Sequence, residues 1–109
     1  MTVAAILVAA GTGSRLGHRL PKAFVPVGGV PLVVRAARGL VACADVATLI
    51  VVVPPDRVRE AQGLLAGLAA STVVVAGGTA RQASVAAGLA ALPDDADVVL
   101  VHDAARPFA

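Results

Sequence analysis

Four short apolar runs, separated by stretches with helical character, restrict this chain to one broad class of fold. The runs are rich in valine, isoleucine and leucine, and they are predicted to be strands at residues 3–9, 48–53, 72–75 and 97–101. Three helices are predicted between them, from Pro31 to about Cys43, from Pro54-Pro55 to Leu68, and from about Ala80 onward. Alternating strands and helices form a parallel sheet with right-handed crossovers. We therefore expect one α/β domain over residues 1–109, with a doubly wound, mainly parallel sheet.

The composition is typical of a sheet that helices cover on both faces. Hydrophobic residues make up 58% of the chain and charged residues 15%, and the small residues alanine and valine are abundant. The net charge is only +2 with two aromatic residues, which argues against a nucleic-acid-binding surface. The single cysteine, Cys43, excludes an internal disulfide, so a cytoplasmic location is expected. Residues 61–80 carry no charge, but their polar residues and glycines predict a helix, a turn and a strand rather than a membrane span.

Three loops with unusual composition follow predicted strands, at residues 9–15, 77–84 and 102–107. In doubly wound sheets, ligands bind beyond the carboxyl ends of the strands, where the strand order reverses. The three loops are therefore predicted to line one crevice. A short extended piece is expected at residues 24–27, before Gly28-Gly29. Thr79 is the predicted cap of the third helix, with Gln82 completing a capping box.

The first loop has the composition of a phosphate-binding turn. Gly11 and Gly13 would expose backbone N–H groups that form a concave anion site, and Arg15 and Lys22 add two cations. The spacing excludes a P-loop, which needs a Gly-Lys pair, and the dinucleotide fingerprint, which needs glycine at the position of Leu16. Taken alone, the segment is explained equally well as an ordinary tight turn with a solvent-facing arginine.

Together the loops supply several cations and one carboxylate. The cations are Arg15, Lys22, Arg81 and Arg106, and the carboxylate is Asp103. Such a set matches phosphate groups and Mg²⁺, which commonly takes one or two carboxylates and completes its shell with water and phosphate oxygens. A helix cap or a loop salt bridge is the commoner role of a lone aspartate, and that interpretation stays open.

The sequence offers no evident general base. His18 lies in a basic loop, and His102 is equally well explained as a structural residue. Ser84 lacks an activating partner, and it either faces the crevice or flanks the helix packing. A phosphate monoester needs no base, because its second pKa is about 6. Its attack on the α-phosphorus of a nucleotide needs only alignment, charge neutralisation and a metal ion, which these residues can provide.

Four segments together resemble the 2-C-methyl-D-erythritol 4-phosphate cytidylyltransferase family of the non-mevalonate isoprenoid pathway. They are AAGTGSR at 9–15, PKAF at 21–24, GGTARQASVAAGL at 77–89 and VHDAARP at 101–107. The last two are the more specific, since many nucleotidyltransferases share the first two. The resemblance implies a Rossmann-like nucleotidyltransferase fold. It also implies transfer of a cytidylyl group from CTP to 2-C-methyl-D-erythritol 4-phosphate, with release of pyrophosphate and with Mg²⁺ as the cofactor.

The resemblance also implies a role for each matching residue. Arg15 and Lys22 would be catalytic and would stabilise charge at the α-phosphorus, while Asp103 would contact Mg²⁺ and, with Arg106, the acceptor substrate. The residues that would border the nucleotide are Ala9, Ala10, Gly11, Gly13, Gly78, Thr79, Arg81 and Ser84. Ser14 stands where some members have arginine, and Thr79 where some have aspartate, which leaves the roles of these two side chains open.

The resemblance covers only the N-terminal half of the family's catalytic domain. We therefore expect a truncated domain, a homodimeric full-length parent, and no turnover by the 109 residues alone. The apolar strand ending at Val101 should leave an exposed sheet edge, which favours association. Two alternatives stay open: a related cytidylyltransferase acting on ribitol 5-phosphate, and a CTP-binding fragment without activity.

Overall fold

The structure is an α/β unit in which a four-stranded sheet lies between helices. A computed structural model describes residues 2–10, 22–44, 46–68, 71–78 and 80–104. Its strands are β1 (Val3–Val8), β2 (Pro26–Val27), β3 (Val30–Pro31), β4 (Thr48–Val53), β5 (Ser71–Ala76) and β6 (Val98–Asp103). Its α-helices are α1 (Leu32–Ala44), α2 (Val58–Leu64) and α3 (Arg81–Ala90), with 3₁₀ turns at Lys22–Phe24 and Pro55–Arg57. Among the described residues, no helix is long and apolar enough to cross a membrane.

The main sheet is parallel, with the strand order β5-β4-β1-β6. From β1 the chain adds β4 and then β5 on one side, and it later places β6 on the other side. The strand order therefore reverses between β1 and β6. A ligand crevice is expected beyond the carboxyl ends of the strands at that reversal, which is where Val8 is in register with Asp103. The predicted parallel α/β architecture is confirmed.

Helices cover both faces of this sheet, as the doubly wound prediction requires. Alternate residues of a strand point to opposite faces. Ala5, Leu7, Leu49 and Val51 are fully buried on the face that packs against α1 and α2. On the opposite face, Ile6, Val8, Ile50 and Val52 pack against residues of α3. The two central strands are therefore buried on both sides, which explains why their sequences are continuously apolar rather than alternating.

Two glycines allow α3 to lie directly against the sheet. A Cβ added at Gly88 would lie 2.6 Å from the Ile6 Cγ2 atom and 3.3 Å from the Val52 Cγ2 atom. A Cβ added at Gly77 would lie 2.7 Å from Ala10, Ser84 and Val52 side-chain atoms. Real Cβ atoms do not approach this closely, so larger residues would push the helix outward. The distance between α3 and the sheet therefore depends on these two positions.

The helix boundaries differ from the predictions at several places. The first helix, predicted from Pro31, begins at Leu32 because Pro31 pairs in β3, and the second, predicted from Pro54-Pro55, begins at Val58 after a 3₁₀ turn. The N-cap of α3 is Ala80, with an extended backbone and no side-chain cap hydrogen bond, so the predicted Thr79–Gln82 capping box is wrong. The helix begins one residue later than that box requires, which moves Gln82 to the second helical position. At the end of α2, the predicted continuation to Leu68 is also wrong, because the helix stops at Leu64 and Gly67 adopts a positive φ of 92° in the following turn.

Two extended segments also differ from the predictions. The piece expected at residues 24–27 is shorter, because Phe24 ends a 3₁₀ turn and β2 pairs with β3 as an antiparallel hairpin around Gly28-Gly29. Strand β6 is longer than predicted, since His102 and Asp103 continue its ladder against β1. Ladder pairing needs only backbone groups, so it extends beyond the apolar run from which the strand was predicted.

Apolar side chains are exposed on both edge strands of the face that α3 covers. Val99 and Val101 of β6 are 37% and 43% exposed, and Val73 of β5 is 40% exposed. The strands between them are buried, because α3 packs against β1 and β4. The exposed edge predicted at Val101 agrees with this arrangement. An apolar, unpaired parallel strand is a template for association with another chain.

We predict that Gly88→Ala destabilises the fold by about 1–3 kcal/mol, because the new methyl group overpacks against Ile6. Gly39→Ala in α1 is the matched control, since an added Cβ there meets no atom within 4 Å. This control should gain up to about 1 kcal/mol from helix propensity. Urea unfolding midpoints measure both changes. Equal stabilisation by the two substitutions would contradict the close approach of α3.

We predict that the chain self-associates in a concentration-dependent way and that Val101→Lys shifts it toward monomer, because a charge on an edge strand opposes pairing. Leu64→Lys is the control, since Leu64 is 36% exposed but lies on α2, away from the edge strands. Sedimentation velocity over a range of concentrations distinguishes them. If both substitutions reduce association equally, general surface hydrophobicity rather than the β6 edge is responsible.

Candidate functional site

A small cavity lies beyond the carboxyl end of β1, between β6 and the start of α3. Its volume is about 90 Å³, and its lining residues are Val8, Ala10, Gly78, Ala80, Arg81, Ser84 and Asp103. Apart from Val8, the last residue of β1, these residues come from the loops that the sequence placed at strand ends, and all three loops contribute. Within the described part of the chain, the predicted convergence on one crevice is therefore confirmed.

Backbone hydrogen bonds hold the floor of the cavity in place. The N–H of Ala9 donates to the carbonyl of Val52 at 2.7 Å, and the N–H of Ala104 donates to the carbonyl of Val8 at 2.9 Å. Ala9 and Ala10 are both buried. Since their side chains are small and buried, these two residues contribute backbone rather than side-chain functional groups to the site. Ala10 lines the cavity, and the place of both residues at a nucleotide site stays a prediction.

The Gly77-Gly78 turn and Ser84 form one wall. The N–H of Gly77 donates to the carbonyl of Val53 at 2.8 Å, which ties the turn to the end of β4. The Ser84 hydroxyl donates to the Gly78 carbonyl at 3.4 Å, and Ser84 is only 2% exposed. The sequence left open whether Ser84 faces the crevice or flanks the helix packing. It does both, because it lines the cavity and sits against the position that a Gly77 Cβ would occupy.

An ion pair connects the start of α3 with the end of β6 at the other side of the cavity. The Arg81 Nε atom, at the first turn of α3, lies 3.8 Å from the Asp103 Oδ2 atom at the end of β6. Their side chains are 61% and 35% exposed, so solvent screens the attraction and the pair contributes little to stability. Its significance is chemical, since it brings a cation and a carboxylate to the same small cavity.

Asp103 is the described residue best suited to hold a divalent cation. Among the described residues, no cluster of three histidine, cysteine, aspartate or glutamate side chains could form an all-protein metal site. Mg²⁺ does not require such a cluster, because it commonly binds through one or two carboxylates together with substrate phosphates. A partly exposed carboxylate at the mouth of a crevice fits that mode of binding.

Several predicted site residues lie outside the described part of the chain. These are Gly11, Gly13, Arg15, Thr79 and Arg106. Lys22 begins the 3₁₀ turn Lys22–Phe24, and its backbone alone is described. Sequence analysis in turn missed Val8 and Ala80, which line the cavity. Their positions, as the last residue of a strand and the residue before a helix, were the available signal.

A larger cavity elsewhere is a weaker candidate. It has a volume of about 460 Å³, and its lining residues are Gln62, Leu65, Ala66, Gly67, Leu68, Thr72, Val73 and Val74. It lies beside the end of α2 and the first half of β5. None of the described residues that line it is charged, so they offer neither the cations nor the carboxylate that phosphate and metal binding require.

Comparison with known proteins gives a consistent family. The family model described as 2-C-methyl-D-erythritol 4-phosphate cytidylyltransferase, IspD, matches residues 3–109. A protein of that name from Nocardia farcinica is 53% identical over 105 residues, and it aligns with 96% of this chain. Its counterpart from Streptomyces avermitilis is 47% identical over 109 residues, again covering 96% of this chain.

A solved structure shows the same fold. The 4-diphosphocytidyl-2C-methyl-D-erythritol synthase from Anaerococcus prevotii matches 99% of this chain with a TM-score of 0.81 and 28% identity. The matched region is only 45% of that solved chain. It is likewise 45% of the Nocardia protein and 44% of the Streptomyces protein. The 109 residues therefore span less than half the length of these relatives.

Proposed function

Because the chain belongs to the 2-C-methyl-D-erythritol 4-phosphate cytidylyltransferase family, we propose that it is the nucleotide-binding part of a cytidylyltransferase. The reaction is transfer of a cytidylyl group from CTP to 2-C-methyl-D-erythritol 4-phosphate, releasing pyrophosphate, in non-mevalonate isoprenoid precursor biosynthesis. The observation that carries the proposal is the meeting of Ala10, Gly78, Ser84 and Asp103 at one cavity. Each comes from a segment that matches a family motif, and the family model spans all of them.

The Gly78–Ser84 wall is the proposed contact for the cytosine ring. The Gly78 carbonyl accepts the Ser84 hydroxyl and keeps a second lone pair for another donor. The amino group of cytosine is such a donor, whereas uracil carries a carbonyl at the same position. This wall therefore favours cytosine, and Ala9, Ala10 and the Thr79 segment would border the base through their backbone.

The Arg81–Asp103 side of the cavity is the proposed triphosphate and metal site. Asp103 would hold Mg²⁺, which when bound would neutralise charge on the phosphate oxygens. Arg81 adds a cation at the same edge. Arg15 and Lys22 would stabilise the charge that develops at the α-phosphorus, with Gly11 and Gly13 in the same loop contributing backbone donors. Arg106 would bind the acceptor substrate together with Asp103.

The transfer itself needs alignment more than acid–base chemistry. An ionised phosphate oxygen of the acceptor attacks the α-phosphorus of CTP, and a new P–O bond forms there. The bond from that phosphorus to the bridging oxygen of the β-phosphate breaks, and pyrophosphate leaves with the electron pair. No proton has to be abstracted, because the attacking oxygen is already ionised near neutral pH. This matches a described site that carries one cation, Arg81, and one carboxylate, Asp103, at a small cavity.

We further propose that the 109 residues bind nucleotide without turning over substrate. More than half of each matched relative lies outside the aligned region. The unaligned part would hold much of the acceptor site. Correct positioning of the two reactants can lower the activation barrier by about 7–11 kcal/mol, and this contribution would be lost without the acceptor site. A homodimeric parent and a cytoplasmic location are part of the proposal. The names of the matched relatives support methylerythritol phosphate over ribitol 5-phosphate as the acceptor.

Calorimetric titration of the chain with CTP, UTP, ATP and GTP, each with Mg²⁺, tests the proposal. We expect CTP to bind most tightly, because the Gly78 carbonyl can accept from the amino group of cytosine and because the family transfers cytidylyl groups. Asp103→Asn should remove most of the Mg²⁺ dependence of binding, whereas Asp94→Asn, in the loop before β6, should not. Equal affinity for all four nucleotides would overturn the cytosine assignment.

A pyrophosphate-release assay with CTP, Mg²⁺ and 2-C-methyl-D-erythritol 4-phosphate tests the division between binding and turnover. We expect CTP binding without pyrophosphate release by the 109 residues. Sustained release by a monodisperse sample would show that the acceptor site is complete within this chain.

A further inference from the structure

We infer that Arg81 is a positioning residue that competes with a divalent cation for the Asp103 carboxylate and transfers to phosphate groups when that cation binds. The inference rests on the proposed function, because it takes Asp103 as the metal contact. It adds an order to the site: Arg81 pairs with Asp103 before the metal–triphosphate complex binds. When that complex binds, Asp103 takes the metal as its partner and Arg81 takes the phosphate groups.

The geometry of the pair indicates exchange rather than permanent anchoring. The separation of 3.8 Å between the Arg81 Nε and Asp103 Oδ2 atoms is too long for a hydrogen bond. A guanidinium carries five N–H donors in a planar fork that matches phosphate oxygens well. Since Arg81 is exposed and Asp103 is partly exposed, solvent screens the pair and little free energy holds Arg81 at Asp103. A better anion can therefore displace the carboxylate.

The backbone on both sides of the pair is held in place, so only side chains need to move. The start of α3 is fixed by the Ser84 hydroxyl on the Gly78 carbonyl, and by the Ser84 N–H donating to the Ala80 carbonyl at 3.1 Å. The end of β6 is fixed by the Ala104 N–H on the Val8 carbonyl. Arg81 and Asp103 thus project from two rigid elements into one cavity.

In the absence of phosphate, electrostatic repulsion prevents the Arg81 guanidinium and a divalent cation from binding Asp103 together. A divalent cation bound to the carboxylate would lie within a few ångströms of the guanidinium, where like charges repel. A triphosphate removes that conflict, because its oxygens provide a second and more strongly charged partner for Arg81. Arg81 should therefore weaken metal binding in the absence of phosphate and strengthen phosphate binding in the presence of metal.

Manganese binding to the full 109-residue chain, followed by electron paramagnetic resonance without nucleotide, tests the first half of the inference. We expect Arg81→Gln to bind Mn²⁺ about three- to fivefold more tightly than the wild type, since a competing cation at a solvent-exposed pair has been removed. Arg81→Lys keeps the charge and should resemble the wild type. Arg59→Gln is the matched control, because it changes the net charge equally on exposed α2, on the opposite face of the sheet. Asp103→Asn should lose the Mn²⁺ binding.

Inorganic tripolyphosphate with saturating Mn²⁺ tests the second half, by calorimetry. We expect Arg81→Gln to bind it about tenfold more weakly and Arg81→Lys to lose less than that, because lysine keeps the charge but not the planar fork, while Arg59→Gln stays close to the wild type. The opposite directions of the two effects are the signature, because a residue that merely supports the fold would weaken both. Urea midpoints of the variants should match the wild type.

Unchanged or weaker Mn²⁺ binding by Arg81→Gln would overturn the inference, and so would Mn²⁺ binding that survives Asp103→Asn. Neither probe contains a base. If the site does not prefer cytosine, the titration with four nucleotides will show it, while the Mn²⁺ and tripolyphosphate measurements keep their expected results.

Discussion

The close contact between α3 and the central strands is the constraint on which the candidate site depends. Gly88 lets the helix lie against Ile6, and Gly77 leaves room for the buried Ser84 side chain beside Ala10. If α3 lay farther from the sheet by about the width of a methyl group, Arg81 and Ser84 would move away from the end of β1. The packing that stabilises the fold and the geometry that forms the cavity are therefore one arrangement. Substitutions at these glycines should affect stability and ligand binding together.

The strand order supplies the rest of the site. Because β6 crosses to the far side of β1, its last residue, Asp103, is brought beside Val8 at the carboxyl edge of the sheet. The Gly77-Gly78 turn reaches the same edge from β5, and it is tied to Val53 of β4. Three segments far apart in sequence thus meet through backbone pairing alone. Among the described residues, the side chains of Ser84, Arg81 and Asp103 distinguish this crevice from an ordinary sheet edge.

Much of this arrangement could be predicted from the sequence, because long apolar runs identify buried strands and glycine-rich loops identify strand ends. The central strands at residues 3–8 and 48–53 were predicted almost to the residue for that reason. Errors occurred where backbone hydrogen bonding decides the outcome without a side-chain signal. Ala80 caps α3 with no side-chain partner, and β6 continues through His102 and Asp103. The pairing of Arg81 with Asp103 was likewise hidden, since it depends on the packing angle of α3.

We propose that the cavity beyond β1 is the nucleotide site of this chain. Amide chemical-shift perturbation by nuclear magnetic resonance, with ¹⁵N-labelled protein titrated with CTP and Mg²⁺, tests it most directly. We expect saturable amide shift changes at Ala10, Gly78, Ser84 and Asp103, and small changes at Gly67 and Thr72, which lie beside the larger cavity. Saturable shifts centred on Gly67 and Thr72, with Gly78 and Ser84 unmoved, would contradict the account.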